Sequence, residues 1–401
     1  MKIAFIALPY AEDTVIVPPL PLTYIAALLE QQRHIVRIYD LALCGTTPLV
    51  NALAPLCAFR PHIVVVASAD PGAATVTEAA LNGCNAPVLR LGVALRQAAP
   101  GLAVAQALWR MDEQRDYNDE QSVIFGALLA LDDDLDSLPF PARHLLPLEQ
   151  YPLFTPAGEL QTTVLAGQQI GANTIIPRNP TLIVAELRSV AREHGIRHFV
   201  FPNPPLTSDP TWLRDMLYRL ATSDLGIGWE GSVRHECMTP DLLQMCRRAG
   251  CEVLCFEFDA VEVLDSKSAR AALTTTVAQA HKLGISVRAH IRLQPPYGAV
   301  PALVDMSATF GLDDVRFSVQ QHAAPPEQAV SDGLALEDVA EMARSRYRSS
   351  RSRQFFIDRF GPQLGPMLWR VGRAGLLGRT WQRYADGAED SSGMVARSYG
   401  G

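Results

Sequence analysis

The 401-residue chain has no uninterrupted apolar run of about eighteen residues, so no membrane span is expected. Charge is scarce: Asp, Glu, Lys and Arg make up 19% against 48% hydrophobic residues. That is too little charge for a disordered chain and enough apolar surface for sizeable cores. Excess positive charge is missing as well, and the net charge of -7 argues against nucleic acid as the main partner. The seven cysteines are scattered without paired spacing, which reads as reduced thiols of a cytoplasmic protein. No charged, apolar and small-residue leader opens the sequence; Met1-Lys2 runs straight into the strand-like Ile3-Ala4-Phe5-Ile6-Ala7-Leu8. These absences leave a soluble, cytoplasmic α/β protein, long enough for two domains and a tail.

What is present begins with a doubly wound pattern. An apolar run over 3–8 is followed by Pro18-Pro19-Leu20-Pro21 and a helical pattern over 22–31, and further apolar runs cover 35–39 and 63–67. Strands alternating with helices at this spacing predict a parallel sheet with both faces covered. Ligands of such sheets sit beyond the carboxyl ends of the strands. Pro9, Tyr10, Asp40 and Ser68 are therefore the candidate cofactor contacts.

From about 161 to 325 helix and strand alternate again. Helices are predicted over 181–194, 210–222, 240–250 and 269–284, and strands over 197–202, 227–235, 251–259, 286–294 and 314–322. Repeated helix–strand units imply a parallel, partial (β/α) barrel. In the last two strands the alternation is informative. Ser286, Arg288, His290, Arg292 and Gln294 alternate with Val287, Ala289, Ile291 and Leu293; Asp314, Arg316, Ser318 and Gln320 alternate with Val315, Phe317 and Val319. Period two sends each set to one face, and the helices outside take the apolar one, so the polar set lines the lumen. The same count places Cys255, Glu257 and Asp259 together, and Glu230, Ser232 and Arg234 together.

Such a lumen has two readings. One is an ion-pair network that satisfies itself, since buried charges without partners are costly. The other is a site: Arg234, Arg288, Arg292, Arg316 and Gln320 hold a small polar or anionic substrate, while His290, Asp259 and Glu257 move protons. Barrel sites lie at the carboxyl ends of strands, which places Asp259, His290, Arg292, Gln320 and His322 better than Arg288. His235, Cys237, Cys246, Cys251 and Cys255 match no zinc spacing, and the cysteines are expected to be buried, inert thiols; no metal site is predicted. Asp132-Asp133-Asp134 reads as a solvated linker.

Several stretches resemble the radical-SAM proteins that carry an N-terminal cobalamin-binding domain. They are Pro18-Pro19-Leu20-Pro21-Leu22-Thr23-Tyr24-Ile25-Ala26-Ala27-Leu28-Leu29-Glu30 with the following strand, the hinge Leu138-Pro139-Phe140-Pro141-Ala142-Arg143-His144-Leu145-Leu146-Pro147, and Ala249-Gly250-Cys251 with the 280–287 run. The resemblance covers 1–70, 135–175 and most of 180–380. It implies a Rossmann-like cobalamin-binding-type domain over 1–130, a Pro-rich linker over 131–160 and a radical-SAM-type barrel over 161–325. A basic helical extension over 326–385 and a disordered tail over 386–401 complete the expected order.

The family's Gly-Cys-x3-Cys-x2-Cys loop falls on Gly167, Gln168, Ala172 and Ile175, and none of the last three carries the thiolate that iron in a [4Fe–4S] cluster needs. The expected SAM contacts fare no better. The acidic pair falls on Asn203 and Pro204, the glycine–acid element on Glu257-Phe258-Asp259-Ala260 and the Gly-x-Pro-Gly loop on Gln294-Pro295-Pro296-Tyr297; only Arg234 stays where relatives place an arginine. No cluster and no reductive SAM cleavage are expected, and these changes speak against SAM binding too. Where relatives carry a Gly-Gly pair for the cobalamin tail, this chain has Val104-Ala105-Gln106-Ala107, whose side chains would crowd it. Asp116-Tyr117-Asn118-Asp119-Glu120 replaces the element that usually follows. Cobalamin binding and a layer kept for stability alone both stay open.

The end of the chain is helical and basic from Leu336, with Phe355, Phe356, Phe360, Leu364, Met367, Leu368 and Trp369 among its arginines. It either docks a membrane surface or partner, or packs on its own barrel. Two functions follow as expectations. The first is a repurposed tailoring enzyme of specialised metabolism, doing non-radical acid/base chemistry, or cobalamin methyl transfer if cobalamin is retained. The second is a catalytically silent partner of an active cobalamin-dependent radical-SAM enzyme; the protein partner expected is such an active homologue or a further copy in a homo-oligomer.

Overall fold

The computed structural model describes residues 1–9, 16–45, 47–68, 71–81, 83–91, 123–124, 127, 135–155, 157–170, 174–202, 205–259, 267–293, 300–319 and 336–373. The chain forms two compact units, one of residues 1–155 and 160–204, the other of 156–159 and 205–401. The fold is α/β: a Rossmann-like layer comes first, then a partial (β/α) barrel, then a helical extension.

In the first unit, β1 (Lys2–Ala7), β2 (Ile35–Asp40), β3 (Ile63–Ala67) and β4 (Val88–Leu91) form a parallel sheet in the order β2-β1-β3-β4. β3 is buried at every position, as continuous apolar strands are when both faces are covered. α1 (Leu20–Gln31) is apolar almost all round, and Leu20 through Ala27 are buried. Pro19 and Pro21 fit its start because the first turn needs no internal N–H donor. α2 (Leu49–Phe59) and α3 (Pro71–Ala80) complete the layer. Cys57, near the end of α2, is joined to Cys84, just beyond α3, with their Cα atoms 4.9 Å apart. This corrects the expectation of reduced thiols throughout: 27 residues separate the pair, and that distance is no recognisable spacing. Cys44, Cys237, Cys246, Cys251 and Cys255 are free.

The same unit holds β5 (Gln161–Thr163), paired in parallel with β8 (His198–Phe201), and between them α4 (Pro180–His194). The segment expected as a loop where the family carries its cluster is instead an antiparallel hairpin, β6 (Gly167–Ile170) with β7 (Thr174–Pro177). Gly167 pairs with Pro177 there, and a Cβ on it would lie 2.8 Å from the Ile176 carbonyl oxygen, so the close backbone approach requires glycine.

This stretch is locked to the unit by a buried charge cluster. Glu186, on the buried face of α4, forms an ion pair with Arg143 at 2.7 Å through one carboxylate oxygen and accepts a hydrogen bond from Arg178 on the other. Arg143 also donates to the Thr163 carbonyl (2.6 Å), and Arg178 to the Tyr24 hydroxyl (3.2 Å). Burial, then the Glu186 charge, pushes the Tyr24 phenol far above its usual range, so it stays a neutral partner.

The second unit carries α5 (Pro210–Thr222), β9 (Gly228–Val233), α6 (Pro240–Arg248), β10 (Cys251–Asp259), α7 (Lys267–Lys282), β11 (Ser286–Leu293), α8 (Val300–Ser307) and β12 (Asp314–Val319). β9 to β12 are hydrogen-bonded in chain order and parallel, as helix–strand repeats dictate. Asp209 and Thr239 cap α5 and α6 by accepting backbone N–H groups of their first turns. Gly250 turns α6 into β10 at φ +89°; a Cβ there would collide with the Ile227 carbonyl oxygen. The turn is pinned by Trp229, whose indole N–H donates to the Ala249 carbonyl at 2.9 Å.

α9 (Leu336–Arg373) packs its first half on this unit. Val339, Ala343 and Tyr347 are buried, Tyr347 meets Phe317 edge to face at 5.8 Å, and Arg346 holds Asp305. The reading of a helix packed on its own barrel therefore holds for this half. The helix breaks at Gly361 (φ +83°), ahead of Pro362 and Pro366, as a positive φ and missing N–H donors require. Among the described residues no helix is long and apolar enough to cross a membrane.

Candidate functional site

The alternation read from the sequence is the one observed. Along β11, Val287, Ala289, Ile291 and Leu293 are buried while Arg288, His290 and Arg292 are half-buried; along β12, Val315 and Phe317 are buried under the helices and Arg316 is exposed. The polar face therefore gathers Glu230 of β9, Cys255 and Glu257 of β10, Arg288, His290 and Arg292 of β11, and Arg316 and Ser318 of β12. Register fixes their neighbours: Glu257 lies beside His290, His290 beside Arg316, and Arg292 beside Ser318.

Part of this face is self-satisfied. Arg288 reaches past Cys255, its neighbour on β10, to pair with Glu230 of β9 at 2.9 Å. Arg292 lies 3.8 Å from Glu257, a loose pair at the margin of an ionic contact, and its side chain keeps 39% of its exposure. Arg316 has no ion-pair partner among the described residues. The carboxyl end of the strands thus gathers the guanidinium groups of Arg292 and Arg316 on one face.

His290 is the titratable group at the centre. Its Nε2 lies 2.8 Å from Ser318 Oγ. Burial, the largest influence, holds its pKa below the ordinary histidine range; Glu257 pulls it up, and Arg292 and Arg316 push it further down. The imidazole is neutral at neutral pH and able to accept a proton. Cys255 behaves oppositely: burial, then Glu257 and Glu230, push its thiol up to about 12, which keeps it protonated and inert. Burial likewise raises Cys246 to about 12 and holds Cys251 well above the ordinary thiol range. His235 is buried against the rings of Phe256 and Phe258, at 6.2 and 5.8 Å.

No protein-family model matches the chain, and no curated protein does. Among solved structures, it is similar to the radical S-adenosylmethionine methyltransferase TsrM from Kitasatospora setae. With tryptophan substrate and the SAM analogue aza-SAM bound, that structure gives a TM-score of 0.57 at 15% identity over 79% of this chain and 72% of TsrM. The TsrM structure with cobalamin and [4Fe-4S] cluster bound gives 0.56 at 15% identity, over 79% and 74%. The cobalamin-dependent S-adenosylmethionine radical enzyme OxsB, in its apo form, gives 0.51 at 14% identity, over 85% of this chain and 56% of OxsB. The chain has the fold of cobalamin-dependent radical-SAM enzymes.

The remaining predicted residues fall on that fold as follows. Gly167 and Gln168 lie in β6 and Ile175 in β7, while Ala172 lies outside the described residues. Arg234 follows the end of β9, exposed, its backbone N–H donating to Thr207 Oγ at 2.9 Å; its guanidinium makes no ion pair with the described part of the polar face. Asp259 ends β10 beside Arg292, and its side chain is not among those described; Gln320, His322 and Tyr10 lie outside the described residues, as do 92–122, 203–204 and 294–299. Pro9 and Ser68 sit at the carboxyl ends of β1 and β3. Asp40 ends β2 with both oxygens engaged, one by the Ala42 N–H (3.0 Å) and the other by the Tyr151 hydroxyl (2.8 Å). Two contributors went unselected from sequence, Glu230 as partner of Arg288 and Ser318 as partner of His290. Both stood on the right face by alternation, and only the strand register reveals whom they meet.

Proposed function

We propose that the chain is a cluster-free, non-radical tailoring enzyme that binds a small anionic substrate on the polar face of β9–β12 and moves a proton through His290. One observation carries this reading: a half-buried imidazole stands beside Arg316 in register and two residues before Arg292, toward the carboxyl end of the barrel strands. The guanidinium groups bind and orient the anion, and His290 takes a proton from the substrate and returns it to the product. Glu257, beside His290 in register, offsets the positive charge that the imidazole gains.

Neither cofactor of the fold is used in this chemistry. Gln168, Ala172 and Ile175 offer no thiolate, and among the described residues no group of three His, Cys, Asp or Glu side chains converges as metal ligands, so the residues present do not fit a [4Fe–4S] cluster. In the first unit the carboxylate of Asp40 is engaged by the Ala42 N–H and the Tyr151 hydroxyl, and no proposed step draws on cobalamin. A second reading, the silent partner, is favoured by the exposed apolar residues past the middle of α9, among them Leu364 and Met367 at 57% and 58% exposure. It requires that changes at Arg292 and His290 leave function untouched.

Titration with citrate or inorganic phosphate tests the first reading. Saturable, stabilising binding is expected, weakened roughly 10- to 100-fold in Arg292→Ala or Arg316→Ala, because a hydrogen bond to a charged group is worth about 1.5–3 kcal/mol. Anion binding that is absent from the wild type, or unchanged in both variants, would overturn it.

A further inference from the structure

We infer that Ser318 is a nucleophile activated by His290, and that the site takes an acyl ester or thioester bearing an anionic group. The inference rests on the reading of the polar face as a site and adds to it a reaction type and a second reacting side chain.

The geometry is that of a nucleophile and its base. Ser318 Oγ and His290 Nε2 are 2.8 Å apart on neighbouring parallel strands, Ser318 one residue before the carboxyl end of β12 and His290 three residues before that of β11. A serine hydroxyl is a weak nucleophile until an adjacent base removes its proton, and the base must be unprotonated to do so. Burial and the two flanking guanidiniums keep His290 in that state. Glu257, its neighbour on β10, favours the imidazolium once it forms, acting through space across the strand pair. The hydroxyl is also placed where negative charge can be held. Arg292 is the register partner of Ser318, and Arg316 that of His290, so positive charge flanks the oxygen from both strands. A hydroxyl kept only to tidy a core histidine has no use for such flanking charge, nor for a half-buried, reachable position. The one nearby thiol, Cys255, is held protonated and is no competing nucleophile.

The step balances without any cofactor. Ser318 Oγ bonds to the acyl carbon while its proton passes to His290 Nε2. The carbonyl oxygen carries the negative charge between Arg292 and Arg316. The bond from carbon to the leaving oxygen or sulfur then breaks, and the leaving group takes the proton from His290. Water, or an acceptor hydroxyl or amine, attacks the acyl-serine with His290 again as base. The products are the leaving alcohol or thiol, and the free acid or the transferred acyl group.

The test is covalent labelling of the full-length protein with a fluorophosphonate probe, read by intact mass and peptide mapping. One adduct on Ser318 is expected, absent from Ser318→Ala and formed roughly 100-fold or more slowly in His290→Ala, the usual scale of a lost general base. Circular dichroism of both variants checks that they are folded. No adduct on the wild type, an adduct on another residue, or labelling of Ser318 at an unchanged rate in His290→Ala would each overturn the inference. If labelling fails while citrate or phosphate binding still depends on Arg292 and Arg316, the nucleophile is refuted and the anion site stands; if both fail, the site itself is refuted.

Discussion

Glu186→Ala is expected to destabilise the first unit by about 3–5 kcal/mol, the cost of breaking a buried ion pair by removing one partner. The carboxylate has no exposed side-chain surface, and it is shared by Arg143 and Arg178, themselves at 4% and 0% side-chain exposure. Removing it leaves two guanidiniums in an apolar environment, one beneath the Pro-rich hinge and one at the end of β7. Hydrogen exchange of the α1 and α4 amides, together with a thermal melt, measures the loss. The charge is not required for stability in itself, since well-packed apolar replacements of a buried ion cluster are often neutral. Glu186→Leu combined with Arg143→Met and Arg178→Met is therefore expected to recover much of the loss. A Glu186→Ala protein that melts with the wild type would show that the cluster does not hold the hinge to α4.

Opening the Cys57–Cys84 bridge is expected to cost about 3–4 kcal/mol, from the loop-closure entropy that a 27-residue crosslink removes from the unfolded chain. The bridge ties α2 to the turn after α3, where Cys84 packs on the core cluster containing Leu56, Phe59 and Leu81. Thermal melts with and without reductant, and of Cys57→Ser, measure the effect. Thiol titration that finds seven free cysteines in non-reduced protein, or a melting temperature indifferent to reductant, would contradict it.

How far the sequence reveals this molecule depends on what each signal reports. Apolar runs report burial, so β1, β2, β3 and β8 to β11 are found within one or two residues, and β12 is found over 314–319, while 320–322 of the expected strand lie outside the described residues. Local punctuation misleads where tertiary packing overrides it. α2 contains Pro55, α3 opens on Pro71-Gly72, and β4 has only four residues, so none of the three stands out. The hairpin at Gly167 is hidden because its glycine is equally at home in the family's cluster loop, and only the β6–β7 pairing separates the two. For the site, period two is enough to assemble the polar face. It does not reveal that Arg288 is spent on Glu230 across a whole strand, nor that His290 meets Ser318, because those facts belong to register between strands and to side-chain reach. The buried Arg143–Glu186–Arg178 cluster is equally silent in sequence: its members are 43 and eight residues from Glu186, and a charged residue on the buried face of α4 looks like an interruption of the pattern until its partners are known.

Iron and acid-labile sulfide in protein purified without oxygen test the central claim most directly. Non-radical chemistry on a face of arginines and a neutral histidine predicts neither in stoichiometric amount, with Gln168, Ala172 and Ile175 at the ligand positions. About four iron and four sulfide per chain would mean that a cluster finds thiolates among Cys44, Cys237, Cys246, Cys251 and Cys255, and would contradict the account.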